Sequence, residues 1–175
     1  KKLSLNFKDH ILPPHINKNI FNKNMRKTSK LLKEILNNID EKKNIFNILS
    51  EEYKHGFKKK NIKKYDHFKT VVIIGMGGSI LGAKAIYSFL KHKIKKEFIF
   101  FDNLEDMKIK NFLKKKNFKN MLFLIISKSG NTIETLVNLN LVNKIKLSKF
   151  NSIVVTENSD NTLRNFADKN KIPII

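Results

Sequence analysis

From Thr70 onward the chain alternates short apolar runs with segments of helical spacing, and this alternation restricts the fold more than any other feature. The runs are Val71-Val72-Ile73-Ile74, Glu97-Phe98-Ile99-Phe100-Phe101, Met121-Leu122-Phe123-Leu124-Ile125-Ile126, Ser152-Ile153-Val154-Val155 and Ile172-Pro173-Ile174-Ile175. A short, continuously apolar run fits a strand buried on both faces. Helices are expected between the runs, over about Ser79–Lys91, Leu104–Lys116, Thr132–Ile145 and Asn161–Lys169. Strand and helix in strict alternation imply right-handed crossovers and a parallel sheet. The expected fold class is therefore α/β, a doubly wound five-stranded parallel sheet of the flavodoxin-like order 2-1-3-4-5. Pro173 confines the fifth run to the start of a strand or to an edge.

Residues 1–66 follow another pattern and are expected to form an N-terminal helical extension, with the sheet domain over 67–175. Ile16, Ile20, Leu31, Leu32, Ile35, Leu36 and Ile39 recur at helical spacing. Asp40 is placed to cap a second helix carrying Ile45, Leu49 and Tyr53. His10-Ile11-Leu12-Pro13-Pro14-His15 reads as extended chain, because a residue before proline avoids the helical region.

The absence of cysteine excludes a disulfide scaffold, thiolate–zinc sites and cysteine nucleophiles. No apolar run approaches the roughly 18 residues of a membrane span, and Lys1-Lys2-Leu3-Ser4 does not open a secretory signal. A cytoplasmic location is expected. The net charge of +21 comes almost wholly from lysine, since Arg26 and Arg164 are the only arginines. Readers of nucleic-acid bases depend on arginine forks. The lysines therefore read as solvated surface, with neither nucleic acid nor membrane as partner, though their field would draw in anionic substrates. The histidines are scattered and suggest no metal.

Two loops stand out. Gly75-Met76-Gly77-Gly78-Ser79-Ile80-Leu81-Gly82 holds four of the six glycines, follows the first strand and opens a helix. Such a turn brings backbone amides close to a ligand. A dinucleotide fingerprint would need glycine where Ile80 stands, and Asp102 after the second strand would have to act as its ribose acid. The second loop, Ser127-Lys128-Ser129-Gly130-Asn131-Thr132-Ile133-Glu134-Thr135, follows the third strand and enters a helix. Its hydroxyls surround a helix start, which supplies unpaired amides and partial positive charge, as a phosphate dianion requires. Ordinary capping by Thr132, with Thr135 in the first turn, is the competing account. In the expected strand order these two loops flank the switch point, where such sheets bind ligands.

The two segments resemble the sugar-isomerase (SIS) domain family, and within it the glucose-6-phosphate isomerases. Residues 75–82 are similar to that family's G-[IM]-G-G-S-x-L-G, and residues 127–135 to its S-K-[ST]-x-x-T-x-E-[TP]; the resemblance covers about Val71–Ile175. It implies that Ser127, Ser129, Thr132 and Thr135 hold a substrate phosphate, that Lys128, Gly130 and Asn131 complete the loop, and that Gly77, Gly78 and Ser79 approach the sugar. Glu134 would orient a partner's histidine from a second layer. The implied reaction interconverts glucose 6-phosphate and fructose 6-phosphate, a step of glycolysis and gluconeogenesis, with no cofactor and no metal. It runs through an enediol, with a carboxylate moving the proton between C2 and C1. The family's base Glu, its His and its Lys come from later sequence. No catalytic residue is therefore expected in this chain, which reads as cut before a second SIS domain, with a homodimer expected at full length.

Three other readings remain open. Asn131 is similar to the bifunctional phosphoglucose/phosphomannose isomerases, although that branch lacks the Leu81-Gly82 pair and has Tyr in place of Lys128. A non-enzymatic SIS-domain phosphosugar sensor would carry a DNA-binding segment, and no recognition helix is evident. A dehydrogenase nucleotide domain is opposed by Ile80.

Overall fold

A computed structural model describes residues 17–41, 45–54, 56–114 and 117–175. The chain divides into two compact units, Lys1–His55 and Gly56–Ile175. In the first, helix α1 spans Lys18–Asn37. The Asn17 side-chain oxygen accepts the amides of Asn19 at 2.9 Å and Ile20 at 3.3 Å, so two otherwise unpaired helix donors are satisfied. The second helix expected after Asp40 is only a 3-10 turn, Ile45–Leu49. Two isoleucines and an asparagine make that segment a weak helix former, and the Ser50 hydroxyl beyond it turns back to the Asp40 carboxylate. The proline-flanked segment around Pro13 lies outside the described residues.

The second unit contains the sheet. Its strands are β1 (Thr70–Gly75), β2 (Glu97–Phe101), β3 (Met121–Ile126) and β4 (Ser152–Val155). All pairings are parallel, in the order β2-β1-β3-β4. The helices are α2 (Lys59–Ile62), α3 (Gly78–Leu90), α4 (Asp106–Leu113), α5 (Ile133–Val142) and α6 (Thr162–Lys169). Helix α4 starts later than its apolar spacing predicts. The Asn103 side chain accepts the Leu104 amide at 2.9 Å, a local side-chain-to-backbone bond that competes with helical hydrogen bonding before the helix.

The expected fifth strand is reduced to a single parallel bridge between Val154 and Ile174, so the sheet has four strands. The C-terminal turn of α6 bounds the bridged segment on its amino side. Lys171 adopts φ +54° and the Ile172 amide returns to the Ala167 carbonyl at 2.8 Å. Extended backbone therefore begins only at Pro173, whose carbonyl accepts the Val154 amide at 2.9 Å.

Alternation along the strands divides the core. Val72, Ile74, Phe123, Ile125 and Val154 face α4, α5 and α6, through Ile109, Phe112, Leu139, Val142, Leu163 and Ala167. Phe112 meets the ring of Phe101 edge-on at 5.2 Å and that of Phe123 at 6.4 Å, the arrangement that ring quadrupoles favour. Val71 and Ile73 face the other way, onto Ile80 and Ala83 of α3. On that same side Tyr65 and Phe68 close over Leu122 and Ile153. Thus α3 lies on one side of the sheet and the next three helices on the other. This is the winding that opens a crevice between β1 and β3.

Candidate functional site

The crevice is defined by register. Gly75, the last residue of β1, pairs with Ile126, the last residue of β3. Met76 and Ser127 therefore leave the sheet side by side, and both glycine-containing loops start from one level. In the first loop Gly77 has φ +53° and ψ −124°, a conformation open to glycine and closed to residues with a Cβ. The Ser79 amide donates to the Met76 carbonyl and the Ile80 amide to the Gly77 carbonyl, both at 3.1 Å, which tightens the entry to α3. No atom lies within 4 Å of where a Cβ on Gly78 would stand, so the backbone there borders open space.

The second loop is built around Ser127, only 2% exposed. Its hydroxyl accepts the Gly130 amide at 3.1 Å and lies 3.0 Å from the Thr132 hydroxyl. Ser129 is exposed and accepts the Asn131 amide at 3.3 Å. Thr132 occupies the N-cap position of α5 in extended backbone, yet its side chain makes no capping hydrogen bond. It turns to Ser127 instead. Ordinary capping therefore does not account for Thr132, and no side chain at the N-cap occupies the first-turn amides of α5. An uncapped helix start beside two hydroxyls is chemically suited to an anion.

The remaining candidates are placed differently. Lys128 projects into solvent with its side chain 88% exposed and its ammonium 3.6 Å from Glu157. Gly130 has φ +66°, and Asn131 is exposed. Glu134 is half-buried in the first turn of α5. Thr135 is 1% exposed, and its hydroxyl is enclosed without a hydrogen-bond partner. Asp102 is engaged by Lys84 and, at 3.8 Å, by Lys108. The hydrogen bond from Lys84, and secondarily its charge, holds the Asp102 carboxyl below the usual aspartate range against a burial effect that would raise it. Among the described residues no three of His, Asp and Glu gather as a metal would need, and no helix is long and apolar enough to cross a membrane. A cavity of about 550 Å³ lies at the amino ends of the strands, against Lys64, Tyr65, Phe150 and Pro173, away from both loops.

Asn161 was not legible as part of this site. It caps α6, accepting the Arg164 amide at 2.8 Å. It also covers Gly130, where a Cβ would stand 1.8 Å from the Asn161 Oδ1. The helix was expected over about Asn161–Lys169; the contact with a loop about thirty residues upstream carried no local signal.

Among curated relatives, the glucose-6-phosphate isomerase of Methanocaldococcus jannaschii is 40% identical over 119 residues, covering 65% of this chain and 29% of that protein. The glucose-6-phosphate isomerase of Borreliella burgdorferi is 40% identical over 111 residues, covering 59% of this chain and 20% of its own length. The chain thus spans less than a third of either relative. In three dimensions, the crystal structure of a glucose-6-phosphate isomerase from Chlamydia trachomatis matches with TM-score 0.54 and 27% identity, over 64% of this chain and 22% of that one. A hypothetical protein from Thermus thermophilus matches with TM-score 0.59 and 27% identity, over 66% of this chain and 30% of that one. The family model described as phosphoglucose isomerase matches residues 17–162, which takes in both loops and the strands that carry them. Sequence, topology and loop chemistry agree, and the chain belongs to the phosphoglucose isomerase family.

Proposed function

We propose that this chain supplies the phosphate seat of an aldose–ketose isomerase that interconverts glucose 6-phosphate and fructose 6-phosphate. The observation that carries the reading is the Thr132 hydroxyl, turned from its own helix start toward the Ser127 hydroxyl at 3.0 Å. A dianion resting on the first turn of α5 would receive that turn's amides and the hydroxyls of Ser127, Ser129 and Thr132. Hydrogen bonds to a charged acceptor are worth about 1.5–3 kcal/mol each. Lys128, Gly130 and Asn131 shape the loop, with the Lys128 ammonium adding attraction from its rim. Thr135, in the first turn of α5 with its hydroxyl enclosed and without a partner, completes the set of hydroxyls. Gly77, Gly78 and Ser79 form the wall next to the sugar. Glu134 orients a catalytic group supplied from elsewhere.

In this reading the chain binds and orients, and the proton transfer between C2 and C1 belongs to residues outside it. The base Glu, the His and the Lys come from the second SIS domain of the same cytoplasmic enzyme, which works as a homodimer. The test is calorimetric titration of the 175-residue chain with glucose 6-phosphate, fructose 6-phosphate, inorganic phosphate and glucose. Both sugar phosphates and phosphate should bind, glucose should not, and a coupled assay should register no turnover. Equal affinity for glucose and glucose 6-phosphate would refute the seat. Measurable isomerisation would refute the division of labour.

A further inference from the structure

The β4–α6 connection grips the second loop at several points. The Glu157 amide donates to the Lys128 carbonyl at 3.1 Å and the Leu163 amide to the Gly130 carbonyl at 3.0 Å. The Thr162 amide donates to the Asn131 side-chain oxygen at 3.0 Å, and the Thr156 hydroxyl to the Lys128 carbonyl at 3.3 Å. Asn161 sits at the centre of this connection, 4% exposed. Its Oδ1 accepts the Arg164 amide at 2.8 Å, and its Nδ2 donates to the Ser159 carbonyl at 3.0 Å and the Glu157 carbonyl at 3.5 Å. With both ends of the amide held, the side chain is fixed over Gly130, in the space a Cβ would occupy.

We propose that Asn161 is a positioning residue for the anion seat: it clamps Gly130 in its left-handed conformation and so keeps the Gly130 amide on Ser127 and the Thr132 hydroxyl beside it. The physical argument is preorganisation. A loop that must be ordered by its ligand gives up part of the interaction energy as lost freedom, whereas a loop already held does not. The loop has two short routes to disorder: Gly130, free of a Cβ, and Asn131, exposed at the tip. The α6 start closes both, the first by Asn161 and the second by the Thr162 amide. Gly130 and Asn161 are thus a matched pair, and a side chain at 130 would be incompatible with Asn161 in its present place.

This inference rests on the phosphate-seat reading, and the experiment separates the two. Asn161→Ser retains a good helix cap but uncovers Gly130; Asn161→Ala removes both; Thr132→Ala removes a hydroxyl of the seat itself. Each variant is made in the full polypeptide that carries this chain, with inorganic phosphate as competitive probe and glucose 6-phosphate as substrate. Asn161→Ser should melt above Asn161→Ala, because both lose the two Nδ2 hydrogen bonds but only serine keeps the cap. The inhibition constant of Asn161→Ser for phosphate and its KM should both rise on the order of tenfold, because the loop must then be ordered by its ligand, while kcat stays nearly constant. If Asn161→Ser leaves phosphate inhibition unchanged while Thr132→Ala weakens it, Asn161 is a helix cap only and the proposal fails, with the seat intact. If Asn161→Ser melts as early as Asn161→Ala, with KM and kcat worsening in step, the role is structural and the proposal fails. If neither Asn161→Ser nor Thr132→Ala alters phosphate inhibition, the seat reading falls and the inference with it.

Discussion

Replacing Gly130 with alanine should destabilise the fold by an amount that can be worked out from two contributions. The first is conformational. At φ +66° an alanine Cβ crowds its own carbonyl, at a cost of about 1–2 kcal/mol. The second is steric. The new Cβ would stand 1.8 Å from the Asn161 Oδ1 and 2.1 Å from its Cγ, so Asn161 must leave its position. Moving it breaks the hydrogen bond to the Arg164 amide that caps α6, a loss of about 1 kcal/mol. Together the two give about 2–3 kcal/mol, a substantial fraction of the roughly 5–15 kcal/mol that holds a domain folded. Urea denaturation followed by circular dichroism measures it directly: the midpoint should fall while the slope is unchanged, because variant and wild type expose the same surface on unfolding. A loss below about 0.5 kcal/mol, the range of an ordinary surface substitution, would refute the reasoning. It would mean that neither the backbone angle nor the Asn161 contact constrains position 130.

Ser129→Ala and Thr132→Ala should each weaken hexose-phosphate binding by about 1.5–3 kcal/mol, read by calorimetry; unchanged affinity in both removes the hydroxyl cage. Phe112→Ala should cost about 3–5 kcal/mol of stability, since the ring is 4% exposed and packs against Phe101, Phe118 and Phe123; thermal melting checks it. Asp102→Asn tests the pairing with Lys84. The folded carboxyl titrates below its unfolded value, so its stabilisation is present above the ordinary aspartate range and is lost as pH falls through the depressed value. With Lys84 42% exposed, solvent screening limits the effect to about 1 kcal/mol or less. The variant should be less stable near neutrality and should lose less on acidification than the wild type. Parallel acid-denaturation curves for the two proteins would contradict this.

The strands were legible because four short, largely apolar runs fit strands of a sheet covered by helices, and the parallel order followed from the helices between them. Register was not written locally. That Gly75 and Ile126 lie opposite one another emerges from packing along the whole of β1 and β3. The fifth run looked like a strand by composition, but the turn at Lys171 takes Ile172 and leaves only residues 173–175 extended. In the candidate site, the residue types of the Ser127 loop suggested an anion. The fate of single hydroxyls was hidden, because Ser127, Ser129, Thr132 and Thr135 are chemically alike in a sequence. Only packing makes the hydroxyl of Thr135 enclosed, that of Ser129 exposed and that of Thr132 turned away from its own helix. Asn161 was invisible for a related reason. A helix cap is a local pattern, whereas a side chain filling the blank space of a distant glycine leaves no periodic trace.

The pairing of Gly75 with Ile126 has a consequence for how such a crevice can change. Adjacent strands stand about 4.8 Å apart because main-chain hydrogen bonding requires it, so the mouths of the two turns share that fixed spacing at their base. Substitutions in either turn can deepen, roughen or recharge the opening, but they cannot widen its root without breaking the ladder beneath. The portion of a ligand gripped there is bound to stay small and constant, and diversity in what is recognised has to be written on the walls farther out.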